Sequence, residues 1–80
     1  MKASERDCLD LIGRIELLFP RANNGYDVFP DDNGYAVFMV CNDDPTDELK
    51  AALDRLLAQN WKADWAFFEH RRWRCRIVSI

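Results

Sequence analysis

HRRWRCRIVSI, residues 70–80, is the stretch on which the fold turns. Trp73, Cys75 and Ile77 alternate with Arg72, Arg74 and Arg76, and a period of two is the signature of a strand with one apolar face. A slip of one residue would bury the guanidiniums, so the alternation also sets the register. The stretch before it, WKADWAFFE (61–69), has Trp65 and Phe67 on one face and Ala66 and Phe68 on the other, and the two form a hairpin. Its turn falls at Glu69–Arg71 and has no glycine to mark it.

Upstream, NDDPTDELKAALDRLLAQN (42–60) reads as a helix. Leu49, Ala52, Leu53, Leu56 and Leu57 make one broad apolar stripe of the kind that faces a core. Asp44 is expected to cap it, with Pro45 at the first helical position and Asp47 and Glu48 at the positive end of the dipole. Before that, RANNGYDVFPDDNGYAVFMVC (21–41) holds two Asn-Gly pairs. The first, Asn24-Gly25, is expected to turn into a short strand at Tyr26–Phe29. The second, Asn33-Gly34, opens a stronger strand at Tyr35–Cys41 after a loop around PDDNG. Pro30 makes the first of these strands short or places it at an edge. Residues 5–18 read as another helix, capped by Ser4, with Leu9, Ile12, Glu16 and Phe19 at helical steps and Leu11, Ile15 and Leu18 widening the apolar side. Pro20 ends it.

The order is therefore αββαββ, an α+β fold in one compact domain spanning residues 1–80: a four-stranded antiparallel sheet with both helices on one face. Eighty residues make one domain with a small core. A hydrophobic content of 49%, with three Trp, two Tyr and five Phe, is too rich for disorder. The charged start lacks a secretory signal's apolar region and no run reaches membrane-spanning length, so no membrane is expected. Three cysteines without CxxC spacing point to a reduced, cytoplasmic setting.

Function must then be sought on surfaces. The net charge is -3 overall, but residues 1–60 carry six basic and twelve acidic side chains whereas residues 61–80 carry five and two. On the strand, Arg72, Arg74 and Arg76 emerge together, joined by Arg71 from the turn, and planar donor forks suit carboxylates and phosphates. Asp27, Asp64 and Glu69 are candidate internal partners, which would leave an ordinary solvated face. Apolar residues on both faces of 35–41 and 65–68, with Phe38 or Tyr35 and Phe68 or Phe67 outward, exceed what a sheet covered on one side needs. Aromatics beside arginines are the composition of protein-interface hot spots. Asp31 and Asp32 add an acidic element to the same partner-binding set; Asp43 and Asp44 form a second acidic pair.

Metal and catalytic readings are weaker. Cys8, Cys41, Cys75 and His70 could converge in space as zinc ligands, but each cysteine fits an apolar helix or strand position of the kind where free cysteine is commonly buried. His70 and Cys75 point to opposite faces, and no glycine-rich phosphate loop is present. The expectation is a non-catalytic module without cofactor or metal that docks another protein, as a small regulatory or inhibitory protein masking a partner surface. Two alternatives stay open: a single-stranded nucleic-acid-binding domain on the same face, disfavoured by the acidic first 60 residues, and a homodimer in which the second apolar face is the subunit interface.

Overall fold

A computed structural model describes residues 2–32, 34–68 and 72–80, with Phe68 described by its backbone alone. The elements run α1 (Glu5–Ile15), β1 (Asn24–Asp31), β2 (Gly34–Cys41), α2 (Asp47–Leu57), β3 (Trp61–Phe68) and β4 (Arg72–Ser79). All adjacent strands pair antiparallel in the order β1-β2-β4-β3. The αββ halves therefore meet through their second strands, β2 and β4, and leave β1 and β3 as edges. α1 lies over β1 and β2, and α2 lies over β3.

The side-chain alternation of every strand sorts into two faces. Val37, Met39 and Cys41 from β2, Cys75 and Ile77 from β4, and Trp61 from β3 face the helices. They join Cys8, Leu11, Ile12 and Ile15 of α1 and Leu53 and Leu57 of α2 in one buried cluster. Burial of this apolar surface is the main favourable term for a chain of this size. Leu49 and Leu56 pack at its margin.

Each helix begins where a side chain replaces missing backbone partners. The Ser4 hydroxyl accepts from the Asp7 backbone N–H at 3.0 Å, and the Asp7 carboxylate accepts from the Ser4 N–H at 2.9 Å. This reciprocal box matches the expected cap. α2 differs: Thr46, not Asp44, is its N-cap and accepts from the Leu49 N–H at 3.1 Å. Pro45 consequently precedes the helix. Asp44 is held elsewhere, accepting from the Trp73 indole N–H at 2.6 Å.

Other boundaries depart from the sequence reading as well, among them the end of α2, which comes at Leu57 and not at Asn60. α1 ends at Ile15, three residues early, and Leu9 is 54% exposed because Cys8, Leu11, Ile12 and Ile15 already complete the buried arc. Asn24-Gly25 is not a turn but the start of β1. The reversal comes earlier: Asn23 donates its backbone N–H to the Pro20 carbonyl, and the Asn24 side chain donates to the same oxygen at 2.8 Å. β1 therefore has eight residues instead of four, and it tolerates Pro30 because it is an edge. The proposed turn residues Asn33 and Glu69–Arg71 lie outside the described residues.

Candidate functional site

The helices leave the other sheet face uncovered. The register sets Asp27 opposite Phe38, Phe29 opposite Ala36, Phe38 opposite Arg76 and Val40 opposite Arg74, with Ala66 and Asp64 beyond them on β3. Arg72, Arg74 and Arg76 thus share a face, as the alternation predicts, and the register puts Phe38 rather than Tyr35 on it. Phe29 joins them. Its ring meets that of Phe38 edge-on, with centroids 6.2 Å apart. The Arg74 guanidinium stands 5.9 Å from the Phe38 centroid, and that of Arg76 5.9 Å from the Phe29 centroid. Such distances permit cation–π attraction, which is worth about 0.5–1 kcal/mol at an exposed site.

Arg76 organises this face. Asp64 is its register partner on β3, yet its guanidinium turns the other way and donates to the Asp31 carboxylate at 2.8 Å. The route crosses β2, where Gly34 and Ala36 leave room; Ala36 is fully buried although it lies on the face without helices. Asp31 therefore does not form an acidic loop patch with Asp32. It belongs to the arginine face, while Asp32 remains exposed. Two adjoining shallow depressions result. One, of about 510 Å³, is lined by Asp27, Val28, Phe29, Phe38 and Arg76; the other, of about 310 Å³, runs from Phe38 to Asp64, Trp65, Ala66, Arg74 and Arg76.

The remaining expected residues fall as follows. Arg72 is exposed on the same face. Tyr35 sits on the helix side, packed against the core. Phe67 is also on the helix side but 62% exposed, its ring edge-on to Trp73 at 5.4 Å. Arg71, His70, Glu69 and the Phe68 side chain lie outside the described residues. Sequence reasoning missed Phe29. Its signal was present: a tight connection centred near residues 32–33 puts residues 29 and 38 on one face, even if the turn shifts by one residue.

A second cluster sits at the α2 side. The Lys50 ammonium lies 4.8 Å from the Trp73 centroid and 5.6 Å from that of Trp65. With the Asp44–Trp73 hydrogen bond, it ties α2 and its leading loop to the start of β4.

The cysteines are core groups. Cys8, Cys41 and Cys75 are all buried and free. Burial pushes the Cys75 thiol up to about 12 and the Cys41 thiol up to about 11, and it raises Cys8 too. The folded state favours the neutral thiol, so this stabilisation is complete below the ordinary value of 9.0 and is lost as pH rises towards 11–12. Two outcomes follow. Unfolding free energy measured by denaturant titration should fall progressively above about pH 9. At pH 8 a thiol reagent should label the native protein far more slowly than the unfolded chain; fast native labelling would place at least one thiol at the surface.

Among the described residues, no group of three or more His, Cys, Asp or Glu side chains converges as a metal site would require. No helix among them is long and apolar enough to cross a membrane. In comparison with known proteins, no family model matches the chain, and no curated protein or solved structure matches it significantly.

Proposed function

We propose that the chain is a non-catalytic protein-binding module that docks its partner on the uncovered sheet face and acts by masking the partner's surface. The observation that carries this reading is the Phe29–Phe38 pair, flanked by Arg74 and Arg76 on a face that no helix covers. Aromatic and arginine side chains supply most of the energy at protein interfaces, and the charged rim governs orientation and encounter. The face mixes signs: Asp27, Asp31 and Asp64 are interleaved with Arg72, Arg74, Arg76 and Lys62. Carboxylates in those places would meet the phosphates of a nucleic acid, whereas a protein surface can answer both signs. That argument sets protein ahead of single-stranded nucleic acid.

The test compares wild type with Phe38→Ala and Arg74→Ala as bait in nuclease-treated native extract, with circular dichroism to check folding. Phe38 lies outside the buried cluster, so its truncation should leave the fold intact. It should weaken a captured protein's binding by roughly 30-fold, a hot-spot effect of about 2 kcal/mol. A partner retained equally by both variants would place recognition elsewhere. Binding that vanishes with nuclease and falls steeply with salt would transfer the face to nucleic acid.

A further inference from the structure

The two sheet edges are built differently. β1 carries Pro30, which has no N–H to offer a further strand. β3, Trp61–Phe68, runs for eight residues without proline or glycine and pairs only with β4, so every second residue directs backbone N–H and C=O outward. An edge of this kind is a template for another strand. Its side chains indicate which one.

We propose that a second copy of this chain occupies the β3 edge, in an isologous dimer whose two β3 strands pair antiparallel about Ala63. A two-fold axis normal to the sheet requires paired residues to share a face, which restricts the register to steps of two. Centring on Asp64 would set Asp64 against its own copy, and centring on Lys62 would do the same with lysine. Centring on Trp65 would set Lys62 against Phe68 and Asp64 against Ala66. Centring on Ala63 sets Lys62 opposite Asp64 of the second copy, twice, and Trp61 opposite Trp65, twice, with two small alanines at the axis. Opposite charges and aromatic pairs are the favourable cross-strand combinations.

The observed contacts leave these charges available. Lys62 and Asp64 make no ion pair with another described residue. Asp64's register partner, Arg76, is committed to Asp31 at the far edge of the same face, on β1. A lone edge lysine would serve to repel another strand; a Lys-x-Asp pattern at residues 62–64 is instead complementary to its own antiparallel copy. The product is a continuous eight-stranded sheet with all four helices on one side. Both Phe29–Phe38 faces lie on the other side, so the dimer presents two docking faces in one plane.

The test is molar mass by sedimentation equilibrium from micromolar to about millimolar protein. Wild type should move from 9.4 kDa towards twice that mass as concentration rises. Lys62→Asp and Asp64→Lys each convert both charge pairs to like-charge pairs, and each should weaken dimerisation at least about tenfold. An equimolar mixture of the two variants should dimerise again, because acid then faces base at both positions. Circular dichroism checks that both variants fold. Wild type monomeric throughout, a dimer indifferent to both substitutions, or failure of the folded variants to dimerise when mixed would each overturn the proposal. So would a dimer abolished by Phe38→Ala and untouched at Lys62 and Asp64, since the interface would then be the open face.

Discussion

Leu53→Ala is expected to lower the unfolding free energy by about 3 kcal/mol. Leu53 is fully buried on α2 and belongs to the one core cluster that joins both helices to the sheet. Truncation removes transfer free energy and leaves a cavity that a close-packed interior only partly closes. A domain of 80 residues has roughly 4–12 kcal/mol of stability in total. The loss is therefore a large share, and should lower the thermal midpoint by about 12–24 °C. Leu56, half-buried on the margin of the same stripe, is the control; Leu56→Ala should cost roughly a third as much. Urea titrations of both variants measure the difference. Equal losses would mean that α2 is rotated about its axis and that its apolar stripe meets the sheet along another line.

That stripe was legible because it rests on a local repeat. Leu49, Leu53, Leu56 and Leu57 recur at helical steps, and any fold that buries the helix must bury that side. The alternation in β4 was legible for a similar reason: Cys75 and Ile77 cannot face the core unless Arg72, Arg74 and Arg76 face away. The start of α2 was misread because Asp44 and Thr46 are both good capping residues and Pro45 fits a first turn. What separates them is the Trp73 indole, 29 residues away in sequence, which takes the Asp44 carboxylate. In α1, Cys8 and Ile12 take the sheet side together with Leu11 and Ile15, and Leu9, which the spacing assigns to that side, faces solvent.

The candidate site shows the same division. That Arg72, Arg74 and Arg76 share one face follows from parity within β4, but Phe38 rather than Tyr35 on that face is set by the β2–β4 register. The Arg76–Asp31 pair spans 45 residues and depends on the strand order, which brings β4 beside β2 and within an arginine's reach of β1. No periodicity encodes that. Asp31 was consequently read as a loop acid, when it is the anchor that turns Arg76 across the face. Phe29 lies within the strand expected at Tyr26–Phe29, and it joins Phe38 only through the pairing of β1 with β2.

Gly34→Ala should be nearly as damaging as a core truncation, with an expected loss of about 3 kcal/mol, although it adds only one carbon. Gly34 has φ +107°, a conformation that L side chains rarely adopt, and forcing one there costs about 1–3 kcal/mol. The new Cβ would also lie 2.4 Å from the Ala3 carbonyl oxygen, which is backbone and cannot rotate aside. Ala3 bridges Gly34 in parallel, and its carbonyl accepts the Tyr35 N–H at 2.9 Å. Moving it sacrifices that hydrogen bond, worth about 1 kcal/mol, and disturbs a residue that is itself in the core. Gly25→Ala is the control: nothing lies within 4 Å of its added carbon and its φ is not positive, so its effect should stay within about 0.5 kcal/mol. Denaturant titration of both variants decides the matter. A loss confined to Gly34→Ala, with Tyr35 amide exchange accelerated, is expected if the N-terminal segment closes the sheet beside β2. If Gly34→Ala is as mild as Gly25→Ala, the segment is not held against Gly34, and α1 must be anchored through Cys8, Leu11, Ile12 and Ile15 alone.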